Sequence, residues 1–247
     1  TPIHDDPTGP DTTINVNEDG EHVFTVADFG FDDVDGHALA AITIVTGPGT
    51  GSLTLDGVAV TNGQRITAAD VAAGKLKFSP APDENGNSYA SFTFSVEDST
   101  GATDASANTI TVNVTAIDDD PTGADTTITV NEDGEHVFTV ADFGFDDVDG
   151  HALAAVTIVT RPSAGSLTMD GSEVTNGQRI SAADIASGRL RFAPASDVNG
   201  NNYASFTFSV EDSSGATDAS ANTIIVNVTA IDDDPTGTDT TINVNED

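Results

Sequence analysis

The chain has no cysteine, no tryptophan, one methionine and only seven lysines and arginines in 247 residues. Each shortage excludes something. Without cysteine there is neither a disulfide framework nor a thiolate metal site, so a small extracellular fold needs another staple, for which bound metal is the obvious substitute. Without tryptophan there is no broad aromatic platform for stacking sugars. Seven basic residues cannot build a surface for nucleic acid or anionic lipid. No apolar run approaches the roughly 20 residues of a membrane helix, which argues against direct membrane insertion, and no basic region followed by an apolar core opens these residues.

What is present is acid. Asp and Glu number 41, the formal net charge is −34 and the isoelectric point is about 4.1. At a Debye length of roughly 8 Å, carboxylates crowded into short loops repel one another, so a compact state requires cations, high salt or both. Apolar residues make up 37 % of the chain, enough for modest cores in several small domains.

The sequence repeats with an offset of 114 residues. Asp11-Thr12-Thr13-Ile14 returns at Asp125 and again at Asp239, and residues 16–41 and 130–155 are identical over 26 positions. That period suits one independently folding domain better than a solenoid turn. The expected organisation is the end of a preceding linker over residues 1–9, a first repeat over 10–117, an acidic linker over 118–123, a second repeat over 124–231, a further acidic linker over 232–237, and the first strand of a third repeat over 238–247.

Within a repeat, apolar and polar residues alternate as strands require. Residues 12–17, 22–26, 40–46, 51–55, 75–78, 91–96 and 109–116 predict seven strands, with Phe92, Phe94 and Val96 inward. Asp56-Gly57 is a hairpin turn signal and Asn62-Gly63 another turn. Thr67-Ala68-Ala69-Asp70 has the form of a capping box before a short helix that ends at Gly74. The fold class expected is all-β: tandem immunoglobulin-like, cadherin-like sandwiches in a linear array.

The acidic residues fall in connections. In a seven-strand sandwich, Asp32, Asp33, Asp35, Asp98 and Asp104 belong at the end where the chain comes in, and Glu18, Asp19, Asp83 and Glu84 at the end where it leaves. The complete junction would gather Glu18, Asp19, Asp83, Glu84, Asp118, Asp119, Asp120, Asp146, Asp147, Asp149, Asp212 and Asp218. Asp5 and Asp6 begin an earlier junction; Glu132, Asp133, Asp232, Asp233 and Asp234 begin a later one. Hard divalent cations with six to eight oxygen ligands suit such a cage, and Ca²⁺ tolerates irregular geometry better than Mg²⁺. Solvated loop carboxylates are the plainer alternative, but they do not explain why the densest acidic run falls in every linker.

The phrases Asn17-Glu18-Asp19-Gly20, Phe24-Thr25-Val26-Ala27-Asp28-Phe29, Asp33-Val34-Asp35-Gly36, Ile66-Thr67-Ala68-Ala69-Asp70, Tyr89 to Val96 and Val114 to Asp119 resemble the tandem cadherin-like repeats of large bacterial RTX adhesins exported by type I secretion. The resemblance spans the chain. It implies an extracellular, monomeric rod at the bacterial surface, an extender whose repeats contact their neighbours through calcium and project a distal region for adhesion or biofilm formation. By analogy with cadherin junctions, it points first to Glu18, Asp118 to Asp120, Asp147, Asp149 and Asp212. His4 stands where Asp118 stands one repeat later, which should weaken the first linker's site.

Other functions fare less well. Paired carboxylates hydrolyse glycosides in some enzymes, but near-identical sites in each copy and the absence of a Gly-x-Ser-x-Gly elbow favour no enzyme. An adhesive module that grips carbohydrate or another surface is the rival. It would need exposed aromatic or threonine faces, whereas Tyr89 and Tyr203 begin core-type strands. The histidines at 22, 37, 136 and 151 are expected as polar turn residues and not as transition-metal ligands.

Overall fold

The computed structural model describes residues 5–244 and divides into two compact units, one ending at Ile117 and the other starting at Asp118. The first unit contains nine strands: β1 Thr12–Asn17, β2 His22–Val23, β3 Leu39–Thr46, β4 Ser52–Leu55, β5 Val58–Ala59, β6 Arg65–Thr67, β7 Leu76–Ser79, β8 Gly86–Asp98 and β9 Asn108–Thr115. They form a five-stranded sheet, β1-β9-β8-β3-β6, facing a four-stranded sheet, β2-β7-β4-β5. β1 runs parallel to β9 and the other pairs are antiparallel. A helix α1, Ala68–Ala72, crosses beside β6.

The second unit repeats this plan with β10 Thr126–Asn131, β11 His136–Val137, β12 Leu153–Thr160, β13 Ser166–Met169, β14 Ser172–Glu173, β15 Gln178–Ser181, α2 Ala182–Ala186, β16 Leu190–Ala193, β17 Gly200–Asp212 and β18 Asn222–Thr229. Each unit is therefore a β-sandwich with its own core.

Alternation drives the burial. Along β8, Ala90, Phe92, Phe94 and Val96 are buried while Ser91 is exposed, so one face meets the opposite sheet. Phe92 meets Phe24 edge-on with centroids 5.6 Å apart, and Phe94 meets Phe29 at 5.0 Å. Phe138, Phe143, Phe206 and Phe208 repeat the arrangement in the second unit. Edge-to-face pairs add about 0.5–1.5 kcal/mol beyond area burial.

Nine strands replace the seven expected. β5 and β6 are two and three residues long, too short to show alternation. Asp56 and Gly57 do form the tight turn between β4 and β5, with positive φ of 51° and 79°. The strand expected over 22–26 stops at Val23, because Thr25 and Asp28 cap a 3-10 turn over Val26–Phe29 that ends at Gly30 with φ 53°. The expected helix is present, with Thr67 Oγ1 accepting from Asp70 N–H at 3.1 Å. In residues 238–244 no strand forms, and Ile242 and Val244 are exposed. The matching segment in each complete repeat pairs with that repeat's last strand, and these residues have no such strand beside them. Residues 245–247 lie outside the described residues.

Candidate metal centres

At the leading end of each unit, acidic loops fasten the incoming chain. In the second unit Asp119 N–H donates to Asp149 Oδ2 at 2.7 Å, Thr122 and Asp146 exchange two backbone hydrogen bonds of 2.9 Å, and Gly123 N–H donates to Asp218 Oδ2 at 3.0 Å. In the first unit Asp5 N–H donates to Asp35 Oδ2 at 2.8 Å, Thr8 pairs with Asp32, and Gly9 N–H reaches Asp104 Oδ2 at 3.0 Å. A Cβ on Gly9 would stand 2.9 Å from Asn108 Nδ2, so a larger residue there would displace the amide that donates to Asp104 Oδ2.

Behind that clasp are the most buried carboxylates. Asp212 closes β17, and its Oδ1 accepts from the backbone N–H groups of Ser214, Gly215 and Ala216 at 2.8–3.0 Å. Burial alone would raise its pKa, but the hydrogen bonds from Ser214, Gly215 and Ala216 outweigh it and hold the carboxyl below its ordinary range. Asp98 is held low in the same way, by Thr100, Gly101 and Ala102. Asp147 Oδ1 accepts from His151 N–H at 2.8 Å, and Asp33 Oδ1 from His37 N–H at 2.9 Å. The side chains of Asp33 and Asp147 are each 1 % exposed, and the second oxygen of each, Oδ2, is buried with no hydrogen-bond partner.

Asp104 and Asp218 act differently. Oδ1 of Asp218 takes Ser220 and Oδ2 takes Gly123 and Asn222, so both oxygens serve the clasp. Desolvation is the largest influence on its pKa and raises it, but these bonds prevail and lower it.

The trailing end is built from Glu18 or Glu132, which are 3 % and 4 % exposed. Glu18 accepts from Ile117 N–H through Oε1 at 2.5 Å and from Asn85 through Oε2 at 2.8 Å. Glu132 does the same with Ile231 and Asn199, and the bond from Asn199 is the main reason its pKa is lowered. Asp83 N–H donates to Asp19 Oδ1 and Asp197 N–H to Asp133 Oδ1, each at 3.3 Å. All four of these aspartates have positive φ, between 56° and 60°, a region that costs most residues and that Asp and Asn tolerate best. Asp233 then meets this group: desolvation and the charges of Asp197, Asp133 and Glu132 push its carboxyl above the ordinary value. Asp6, Asp120, Asp232 and Asp234 remain exposed. His4 lies outside the described residues.

No lysine or arginine balances these groups. Six of the seven pair elsewhere: Arg65 with Glu97, Lys75 with Asp70, Lys77 with Glu21, Arg179 with Glu211, Arg189 with Asp170 and Asp184, and Arg191 with Glu135. Arg161 is exposed in the loop after β12. Oxygen-rich clusters that retain buried, unpartnered oxygens fit a hard cation such as Ca²⁺.

The histidines are the residues that spacing did not single out. His37 and His151 turn Nδ1 into the leading-end clusters, and Asp33-Asp35-His37, Asp118-Asp149-His151 and Asp147-His151-Asp212 each bring one ligand atom per residue within 4.8 Å of one another. The signal was the Asp-x-Asp-Gly-His run, in which His stands four residues after a carboxylate that is 1 % exposed. Tyr89 is half-buried as expected, its hydroxyl donating to Glu84 Oε2 at 2.5 Å and accepting from Ala81 N–H at 3.1 Å.

Two tandem sandwiches, each with a five- and a four-stranded sheet, place the chain in the immunoglobulin-like class. It belongs to the bacterial Ig domain family, whose profile matches residues 4–115 and again 118–229. No curated protein matches the sequence. Among solved structures it is similar to human mucin-like protocadherin EC1-2 (13 % identity, TM-score 0.43, covering 91 % of this chain and 98 % of that one). It is also similar to human CDH23 EC21-23 (14 %, 0.43, 90 % and 70 %) and to the human desmocollin-1 ectodomain (12 %, 0.36, 96 % and 39 %). At those scores the likeness carries no argument, and the fold rests on the chain's own topology. No helix among the described residues is long and apolar enough to cross a membrane.

Proposed function

We propose that this chain is a calcium-stiffened extender segment of a large bacterial surface adhesin, exported by type I secretion, that holds a distal ligand-binding region away from the cell for adhesion or biofilm formation. The observation that carries the calcium reading is the pair of buried, unpartnered oxygens, Asp33 Oδ2 and Asp147 Oδ2, among carboxylates with no lysine or arginine partner. A buried anion in that state is costly until a cation arrives. Extracellular modules bind Ca²⁺ with constants of about 10⁻⁴ to 10⁻³ M, so occupancy follows the medium and folding awaits export.

Stiffening follows from chain order. Ile117, gripped by Glu18, is followed directly by Asp118, gripped by Ser214. Ions bound by Glu18, Asp19 and Asp83 together with Asp119, Asp120, Asp147, Asp149 and Asp212 couple one repeat's orientation to the next. The same logic applies to Glu132, Asp133 and Asp197 with Asp232 to Asp234. The chain supplies oxygens and positions them, and no catalytic role is assigned to it. Small-angle scattering of this chain in millimolar Ca²⁺ and in chelator tests the proposal: a longer, narrower particle in calcium is expected, and an unchanged profile refutes it.

A further inference from the structure

Three carboxylates converge on one imidazole nitrogen in the second unit. His151 Nδ1 lies 3.1 Å from Asp118 Oδ1, 3.2 Å from Asp212 Oδ2 and 3.7 Å from Asp147 Oδ1. Nδ1 is buried, and despite those distances none of the three contacts is aligned as a hydrogen bond. Other bonds hold the carboxylates in place: Asp118 Oδ2 accepts from Ser214 Oγ at 2.6 Å, and Asp212 Oδ1 accepts three backbone N–H groups. The Asp147 and Asp212 side chains are 1 % and 0 % exposed, and Asp147 Oδ2 has no partner.

With Nδ1 unprotonated, its lone pair faces carboxylate oxygens at repulsive distances, and a cation between them reverses the sign. The spacing also fits a metal. With metal–ligand distances of about 2.0–2.2 Å, neighbouring donors in octahedral or tetrahedral shells stand about 2.8–3.6 Å apart, a range that holds the Asp118 and Asp212 contacts and that Asp147, at 3.7 Å, just exceeds. Calcium takes oxygen at longer distances, whereas imidazole with carboxylate suits zinc and the other late first-row dications. We propose that the leading end of each repeat holds a mixed nitrogen–oxygen site for a first-row transition dication, built in the second unit from His151, Asp212, Asp118 and Asp147. The first unit repeats its core, with His37 Nδ1 3.2 Å from Asp98 Oδ2 and 3.5 Å from Asp33 Oδ1. His22 and His136, by contrast, each stand beside one carboxylate, Asp28 or Asp142. The site shares Asp118, Asp147 and Asp212 with the calcium reading but does not rest on it.

The test is calorimetric titration of the untagged chain with ZnCl₂ in calcium-free buffer, with Cu²⁺ electron paramagnetic resonance on the same proteins. His151→Gln should halve the zinc bound, adding His37→Gln should abolish it, and His136→Gln should change nothing. The Cu²⁺ spectrum should show nitrogen splitting that the double variant loses. Zinc binding that survives the double variant, or no zinc binding by the wild-type chain, overturns the site. Melting the same proteins in calcium separates the two proposals: calcium stabilisation without zinc binding sinks this site alone, and zinc binding without calcium stabilisation sinks the extender's calcium alone.

Discussion

Replacing Asp33 and Asp147 together by Asn should reverse the sign of its effect when calcium is added. Each side chain is 1 % exposed, uses Oδ1 to accept a backbone N–H and leaves Oδ2 unpartnered. Asn keeps the Oδ1 acceptor and removes the charge, so without calcium the variant sheds repulsion and should melt at or above the wild type. With calcium the wild type gains RT ln(1 + [L]/Kd) per site. For a constant of about 10⁻⁴ to 10⁻³ M and about 10 mM Ca²⁺, that is about 1.4–2.7 kcal/mol per site. At about 4 °C per kcal/mol for a domain of this size, the gain is about 6–11 °C. The variant should lose most of it. Both repeats carry the change, so one calorimetric scan in calcium and one in chelator suffice. A variant that melts lower by the same margin in both, or that keeps the full gain, would show that these aspartates only brace the loop.

Acid should act through the most hydrogen-bonded carboxylates. The folded pKa values of Asp98 and Asp212 are lowered, so their stabilisation is complete above the unfolded value of about 3.9 and is lost as pH falls through the lower folded value. Urea midpoints measured from pH 5 to pH 2 should fall less steeply in Asp98→Ala/Asp212→Ala than in the wild type. Phe92→Ala should cost about 3–5 kcal/mol by removing a buried ring packed on Phe24, and should move only the first repeat's transition in urea. Gly51→Ala should destabilise strongly, because φ is +69° and a Cβ would stand 2.6 Å from the Phe78 ring and 2.8 Å from the Ser79 carbonyl. A melt of that variant beside Phe92→Ala checks the ranking.

Strands with long alternation were legible because burial and period agree. β9, and β8 from Ala90 onward, bury every second residue, and no other assignment puts Phe92, Phe94, Ile110 and Val112 inside. β2 was overextended because Phe24-Thr25-Val26 alternates like a strand, while Thr25-Val26-Ala27-Asp28 also has the capping form that Thr67 to Asp70 shows; in the first case local capping wins. The placement of acid at the two ends was legible from loop order alone: Asp5, Asp33, Asp35, Asp98 and Asp104 gather at one end of the first unit, and Glu18, Asp19 and Asp83 at the other. The use of each oxygen was not legible. Nothing in spacing separates Asp218, whose oxygens are taken by Gly123, Ser220 and Asn222, from Asp147, which keeps one bare; that depends on which N–H groups the folded loop presents.

The distribution of charge also decides what calcium can do here. The sheets carry their own compensation: Arg65 forks onto Glu97 between β6 and β8, and Arg179 onto Glu211 in the second unit. The two aromatic cores contain no metal ligand, and buried hydrophobic side chains such as Phe24, Phe78 and Phe94 contribute about 1.5–3 kcal/mol each whether or not an ion is present. Clustered uncompensated charge lies in loops at the leading and trailing ends. Calcium removal should therefore release the loops and linkers first and leave the sandwiches folded at moderate temperature. Hydrogen exchange in chelator would check this: amides of β3, β8 and β9 should stay protected while those of residues 33–37, 98–104 and 118–123 exchange faster. Loss of protection throughout the sheets would mean instead that the ion is part of the fold itself.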